Sequence, residues 1–283
     1  MCGPSVYISG PIRVRPMNLN IPEPNSSLLA HNPKQTTIQH PPHLRCVLES
    51  KLHSPVRGRE SMKFTDSPVI ELAVNDAVLS LQQDNGSMHV GTTVWPCSLV
   101  LVKFAERWGP PSDNNPYARV LDFQGKRAVE LGTGCGVAGM GLYLLGLTDL
   151  LLTDIAPVMP ALKRNLKVNK PILRKALKHS VLYWNNPQQI AALNPPFDFV
   201  IATDVVYIPE SVPSLVSAME TLVSDDGVVL LGYQLRAPEA HELFWELCQQ
   251  VFHVEKVPHE HLHPDYAYEE TDVYLLKKKN KKQ

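Results

Sequence analysis

The sequence predicts an α/β fold in which a doubly wound, mostly parallel seven-stranded sheet ends in an antiparallel hairpin, preceded by a small β lead-in. Short apolar strands alternate with helical segments from residue 127 onward, and this spacing favours right-handed crossovers between parallel strands. A glycine-rich stretch, 132–139, directly follows the first of these strands. The last two apolar runs, 251–257 and 273–276, have no helix between them, so we expect them to pair antiparallel at one end of the sheet.

The individual elements follow from local patterns. In the lead-in, 69–74 and 91–95 are β-rich, with the turn-forming residues 84–86 between them, which indicates a hairpin. Pro96 suits the start of a helix over 98–108, which stops at Gly109. After a polar loop, the predicted strands are 127–131, 149–153, 180–184, 198–203 and 227–232, and the predicted helices are 137–145, 158–169, 211–223 and 238–250.

Composition limits the classes of function. The net charge is −1, so we expect neither nucleic acid nor a membrane as a partner. The five cysteines lack the short paired spacings of zinc sites or small disulfide frameworks, and this favours a reducing compartment. His259, His261 and His263 predict a surface loop rather than a metal site, since no cysteine is near. We expect a monomer in the cytoplasm, with the nucleus as a further location.

Three segments are predicted along the chain. Residues 1–60 are rich in proline and predict a disordered extension, with an organelle transit peptide as the alternative. Residues 61–277 predict the folded domain. Residues 278–283 predict a Lys-rich tail, and the charge run that ends there fits a solvated chain end better than a nuclear address.

The glycine-rich stretch fits two nucleotide-binding patterns. Gly134-x-Gly136-x-x-Gly139 matches the dinucleotide fingerprint, whereas Glu130-x-Gly132-x-Gly134-x-Gly136 matches a second pattern. In a dinucleotide fingerprint the first glycine follows the strand directly, and Gly132 rather than Gly134 occupies that place. The position of the strand therefore favours the second pattern, in which Gly132 and Gly134 let backbone N–H groups approach a cofactor.

Two further residues suit an adenosine. Asp154 ends the second predicted strand, 22 residues after Gly132, where a carboxylate can accept hydrogen bonds from both ribose hydroxyls; a helix cap is the alternative. Trp184 ends the third predicted strand and can stack on the adenine, unless it is a core residue.

The segment that carries Asp204 and Tyr207 follows a buried strand at 199–202. Both side chains are thereby predicted at the carboxyl edge of the sheet, where open α/β sheets bind ligands. A helix cap and a packing tyrosine are the alternative interpretation.

Together, several motifs resemble those of the seven-β-strand (class I) methyltransferases. They are Val94-Trp95-Pro96, Val129-Glu-Leu-Gly-Thr-Gly-Cys-Gly136, Thr153-Asp154, Tyr183-Trp184 and Asp204-Val-Val-Tyr207. The tetrapeptide and the upstream tryptophan make the chain most similar to the protein-lysine methyltransferase branch, of methyltransferase-like 21 or family 16 type, whose members modify chaperones, an ATPase and elongation factors. The resemblance covers about 64–276.

The resemblance implies S-adenosylmethionine as the cofactor and a protein that bears a lysine as the partner. It implies a cofactor pocket formed by Trp95, Glu130, Gly132, Thr133, Gly134, Asp154, Trp184 and Thr203, with Asp204 and Tyr207 at the methyl end. Because a carboxylate opposes deprotonation of an ammonium, Asp204 is expected to position the amine rather than act as a strong base. The remaining alternatives are a small-molecule N-methyltransferase, a non-catalytic nucleotide-binding module and a nicotinamide oxidoreductase.

Overall fold

The computed structural model describes residues 67–109 and 114–279. The predicted extension over 1–60 and the residues 280–283 of the predicted tail lie outside this part. The final strand continues to Lys278, so the last described strand includes the first residue of that tail. No helix among the described residues is long and apolar enough to cross a membrane.

Nine strands and seven α-helices are described. The strands are β1 (Val69–Val74), β2 (Ala77–Gln82), β3 (Arg127–Leu131), β4 (Asp149–Asp154), β5 (Lys178–Val181), β6 (Phe197–Thr203), β7 (Val223–Gln234), β8 (Phe252–Lys256) and β9 (Thr271–Lys278). The helices are α1 (Pro96–Trp108), α2 (Val137–Leu144), α3 (Met159–Val168), α4 (Lys170–Leu173), α5 (Pro187–Ala192), α6 (Val212–Leu222) and α7 (Pro238–Val251).

The main sheet has seven strands in the order β5-β4-β3-β6-β7-β9-β8. Neighbours from β5 to β7 pair parallel, whereas β9 pairs antiparallel with both β7 and β8. The predicted fold class is therefore confirmed, including the antiparallel end. The strand order reverses between β3 and β6, because β4 and β5 lie on one side of β3 whereas β6 and β7 lie on the other. In such sheets, ligands bind in the crevice at the carboxyl ends of the strands next to this reversal.

Two apolar clusters cover the faces of this sheet. Successive residues of a strand point to opposite faces, and in β3 Ala128 belongs to one cluster while Val129 belongs to the other. The first cluster includes α1, α2 and the lead-in. The second includes α6 and α7. Burial on both faces explains why the central strands are continuous apolar runs.

The lead-in hairpin differs from the prediction. β1 pairs with β2, and the connecting turn is Asn75-Asp76, where Asn75 has φ 49°. Asparagine tolerates this left-handed conformation, which two-residue hairpin loops require. The predicted second strand, 91–95, instead contains a 3-10 turn over Val90–Thr92, because it leaves the hairpin to enter α1.

Between β5 and β6 the structure adds a helix, α5, that the predicted elements lack. Asn186 caps it by accepting a hydrogen bond from the Gln189 N–H at 3.0 Å, and Pro187 stands at its first position. An Asn-Pro start of this kind is a sequence signal for a helix. β5 is also shorter than predicted and ends at Val181.

Candidate active site

A cavity of about 610 Å³ opens at the carboxyl edge of the sheet, a volume typical of sites for small molecules and cofactors. Among its walls are nine residues predicted from the sequence: Trp95, Gly132, Thr133, Gly134, Asp154, Trp184, Thr203, Asp204 and Tyr207. Glu130, the tenth, is not among them. The sheet thus brings the predicted glycine, carboxylate and tyrosine groups around one space.

The glycine loop leaves no room for larger residues. Gly132 and Gly134 have φ values of 69° and 55°, a region that other residues rarely adopt. A Cβ on Gly132 would lie 2.8 Å from the side chain of Val205, and one on Gly134 would lie 2.9 Å from the carbonyl oxygen of Gly91. The loop therefore exposes backbone to the cavity as a close-fitting cofactor site needs.

Asp154 holds the loop from the end of β4. One carboxylate oxygen accepts the Gly134 N–H at 2.7 Å, and the other accepts the Ile155 N–H at 2.7 Å. Burial raises the pKa of Asp154, although these two N–H donors oppose the shift. Each carboxylate oxygen has a second lone pair, so the group can still accept hydrogen bonds from a ligand's hydroxyls in the cavity.

Trp184 lies three residues beyond the end of β5, not within the strand. β5 stops at Val181, and the Leu182 N–H bonds to the Asp154 carbonyl at 2.9 Å. The chain then turns through Tyr183 toward the α5 cap, and this turn brings Trp184 beside Gly132. The predicted position in the strand was wrong, but the indole does line the cavity.

Glu130 lies beneath the loop rather than in the cavity. Its side chain is fully buried, and its Oε2 accepts a hydrogen bond from the Thr133 hydroxyl. Its Oε1 has no hydrogen-bond partner within the described part of the chain. Burial raises the pKa of Glu130 to about 8. The structure therefore assigns this carboxyl to support of the glycine loop, whereas direct contact with a cofactor stays a prediction.

We expect the Glu130 carboxyl to make stability depend on pH. Its pKa is about 8 in the folded state against an ordinary 4.5, so the folded protein retains a proton that the unfolded chain has released. This stabilisation is complete below the ordinary pKa and is lost as pH rises through about 8, by at most ~1.4 kcal/mol per pH unit. Thermal unfolding of Glu130→Gln should show a smaller fall in stability from pH 6 to pH 9.

The control for that measurement is Glu242→Gln, because Glu242 is an exposed glutamate on α7. This variant should follow the unaltered protein across the same pH range. A Glu130→Gln variant that loses stability as steeply as the unaltered protein would contradict the assignment.

The Asp204 carboxylate also lines the cavity. Asp204 follows β6 directly and has φ 59°, and its N–H donates to the carbonyl of Gly232 at 3.0 Å. A Cβ on Gly232 would lie 2.7 Å from the carbonyl oxygen of Cys97, so this glycine lets the start of α1 approach β7. Asp204 thus lies where the end of β6 meets β7, next to the start of α1.

Tyr207 lines the cavity together with Asp204. Burial raises its pKa, and the charges of Asp154 and Asp204 add to the shift. The phenol is therefore neutral near pH 7 and can donate or accept a hydrogen bond.

A family model described as lysine methyltransferase matches residues 73–251 of this chain, more than half of its length and all the site residues above. The chain belongs to this lysine methyltransferase family. The predicted branch is thereby confirmed.

Curated relatives agree with this membership of the lysine methyltransferases. The chain is 31% identical over 191 residues to protein N-lysine methyltransferase METTL21A of Danio rerio, covering 67% of this chain and 81% of the relative. It is 31% identical over 179 residues to EEF1A lysine methyltransferase 3 of Mus musculus, covering 62% of this chain and 71% of that relative. METTL21A of Xenopus tropicalis is 28% identical over 225 residues, covering 78% and 92%.

The sequence analysis of this methyltransferase missed two features that bear on the site. One is the wall segment, which we define as Met88–Val94, and most of its residues line the cavity. The sequence analysis predicted a strand at 91–95 but did not predict that Gly91 lies beside the glycine loop at Gly134. The other is Arg236, which follows β7 and pairs with Asp204. Its place after a strand that neighbours β6 was a usable signal.

Proposed function

We propose that this protein transfers a methyl group from S-adenosylmethionine to the side-chain amine of a lysine in another protein. The observation that carries the proposal is the single cavity into which β3, β4 and β6 direct the glycine loop, Asp154 and the Asp204–Tyr207 pair. The names of the relatives support methylation of a protein lysine. The acceptor class predicted from the sequence, a folded chaperone, ATPase or elongation factor, belongs to this proposal.

The residues present fit this cofactor. The glycine backbone allows close approach, because a Cβ at Gly132 or Gly134 would occupy the space beside the cavity. Asp154 offers acceptor lone pairs, and the aromatic ring of Trp184 stands next to Gly132. When bound, S-adenosylmethionine supplies a methyl group on a positively charged sulfur.

The chain's own task is alignment. Much of the cavity lining is apolar or aromatic, and Asp204 and Tyr207 offer hydrogen bonds that can orient an amine toward the cavity. Holding two reactants in line lowers the barrier by removing translational and rotational freedom before reaction. Transfer to an amine needs no covalent bond to the enzyme, so no nucleophilic side chain is required of the site.

A labelling experiment tests the proposal. The purified protein is incubated with tritiated S-adenosylmethionine and cell extract, and the labelled product is identified by gel and mass spectrometry. We expect label on a lysine of one protein, and excess S-adenosylhomocysteine should suppress it. Label confined to small molecules would overturn the proposal in favour of a small-molecule acceptor. Cofactor binding without any transfer would favour a binding module, and tighter binding of NAD would favour an oxidoreductase.

A further inference from the structure

Arg236 contacts two predicted site residues at once. Its Nε donates to Asp204 Oδ1 at 2.8 Å, and its Nη2 donates to Asp204 Oδ2, a two-point pairing that fixes the carboxylate plane. The two side chains are only 16% and 5% exposed. The guanidinium carbon also lies 4.8 Å from the centre of the Trp95 ring, within the range of a cation–π contact.

Trp95 is itself held in place. Its Nε1 donates to the carbonyl of Val90 at 2.9 Å, so the indole is fixed to the wall segment while Arg236 covers its face. The three side chains Asp204, Arg236 and Trp95 thus form one layer that extends from the end of β6 to the start of α1. We call this layer the acceptor triad.

A narrow slot lies against the acceptor triad. It is lined by Val90, Trp95, Asp204, Tyr207 and Arg236, and all of these except Arg236 also line the main cavity. Its volume is about 20 Å³, room for about one water-sized group and not for a whole side chain. An acceptor lysine would therefore lie in the main cavity, and only its amine end would meet the polar groups beside the slot. The slot therefore marks where Arg236 borders the part of the main cavity that contains Asp204 and Tyr207.

We propose that Arg236 is a positioning residue of the acceptor site, which neutralises Asp204 and borders the place where the acceptor amine would meet Asp204 and Tyr207. The inference rests on the proposed function. A merely structural ion pair would hold the loop after β7 in place and would leave the titration of the reacting amine unchanged.

The charge balance explains why the pairing matters. A lysine must lose its proton before it can attack a methyl group, and its ordinary pKa is about 10.4. An unpaired buried carboxylate would stabilise the ammonium and raise this pKa. With Arg236 in place the pair is neutral overall, so the Asp204 oxygens can orient the amine without favouring its protonated form.

The surrounding groups leave this balance intact. Burial raises the pKa of the Cys97 thiol well above its usual range and raises that of the Tyr233 phenol to about 12. With Tyr207, these groups are uncharged near neutral pH. Burial alone would lower the pKa of Arg236, but its hydrogen bonds to Asp204, followed by the charge of Asp204, raise it overall. Arg236 therefore stays charged at all working pH values.

The test measures the pH dependence of kcat for methyl transfer to the acceptor found by labelling. Arg236→Gln leaves Asp204 unpaired, so the midpoint of the rising limb should move up by about one pH unit or more. Asp204→Asn leaves Arg236 unpaired, so the midpoint should move down. The double variant carries neither charge and should return to the midpoint of the unaltered protein at a lower kcat. Arg236→Lys should keep that midpoint.

Two controls separate this effect from general damage. Affinity for S-adenosylhomocysteine, measured by calorimetry, should stay within about threefold in every variant. Lys178→Gln breaks a surface pair with Asp149 at another part of the sheet and should leave the midpoint unchanged. If Arg236→Gln does not fold, the opposite shift in Asp204→Asn and its reversal in the double variant test the inference.

The outcomes are distinct. Unshifted midpoints with normal cofactor affinity would overturn the role of Arg236 while leaving the methyltransferase function in place. Absence of any methyl transfer by the unaltered protein would overturn both proposals.

Discussion

Replacement of Gly134 by alanine is expected to abolish binding of S-adenosylmethionine while the sheet stays folded. The new Cβ would lie 2.9 Å from the Gly91 carbonyl oxygen, a backbone atom that cannot rotate away. It would also occupy a residue with φ 55°, which costs a non-glycine residue about 1–2 kcal/mol. Relief of the contact must move the wall segment or the loop itself, so we expect affinity for S-adenosylhomocysteine to fall at least ~100-fold. Calorimetric titration measures the loss.

Gly125→Ala is the matched control. Gly125 has φ 70° and nothing lies within 4 Å of the position of its missing Cβ. It therefore reproduces the backbone strain of the Gly134 variant without the collision. We expect a modest loss of thermal stability and unchanged affinity. Equal affinities of the Gly134 and Gly125 variants would show that the closeness of the wall segment to the loop does not matter.

Asp204→Asn is expected to reduce kcat by roughly 10²-fold or more, in the range found when a positioned polar group is lost. Asparagine tolerates the left-handed conformation found at this residue, so the backbone should keep its path. The variant keeps the shape of the side chain but loses the charge that pairs with Arg236 and one acceptor for the amine. Steady-state transfer to the labelled acceptor measures kcat, and calorimetry should show unchanged binding of S-adenosylhomocysteine.

A second acid on the same strand provides the comparison. Asp198 lies at the opposite end of β6, where its carboxylate accepts the Arg127 N–H at 2.8 Å. Asp198→Asn makes the same chemical change far from the cavity and should leave kcat near its original value. Normal turnover in Asp204→Asn would remove Asp204 from the site.

The sequence was sufficient for the order of the main elements. The strands β3, β6 and β7 are apolar runs buried on both faces, so their sequence patterns identify them as strands without knowledge of their neighbours. Elements whose formation depends on a partner were harder to predict. β5 stops at Val181 because the chain turns toward the α5 cap, and 91–95 is no strand because it must cross from the hairpin to α1.

Among the site residues, too, those that follow a strand could be predicted, whereas contacts between distant parts of the chain could not. Gly132, Gly134, Asp154 and Asp204 each follow a strand, and parallel strands direct their ends to one edge, so their convergence could be inferred. The pairing of Asp204 with Arg236 could not be inferred. It joins residues 32 apart in the chain, and it depends on the register in which β6 pairs with β7. Glu130 was grouped with the cofactor residues, since a motif does not show that its carboxyl points beneath the loop.

The hairpin owes its place to two buried asparagines. Asn165 and Asn169, one helical turn apart on α3 and its end, bond through their amides to the N–H and C=O groups of Gln82 and Ser80 respectively, at 2.8–3.1 Å. Four helical residues rise about 6.0 Å and two strand residues about 6.6 Å, so helix side chains here imitate the edge of a neighbouring strand. Asn165 also donates to the Cys135 carbonyl at 3.1 Å.

A slip of the hairpin by one residue would turn the bonding groups of β2 away from both amides, and a slip by two would leave one amide unmatched. Because Gln82 is held in place, the number of residues between it and α1 determines where this part of the chain lies. Through these bonds α3 determines the position of the wall segment, although it lies far along the sequence. Insertions between β2 and α1 would therefore change the cavity wall without disturbing the main sheet.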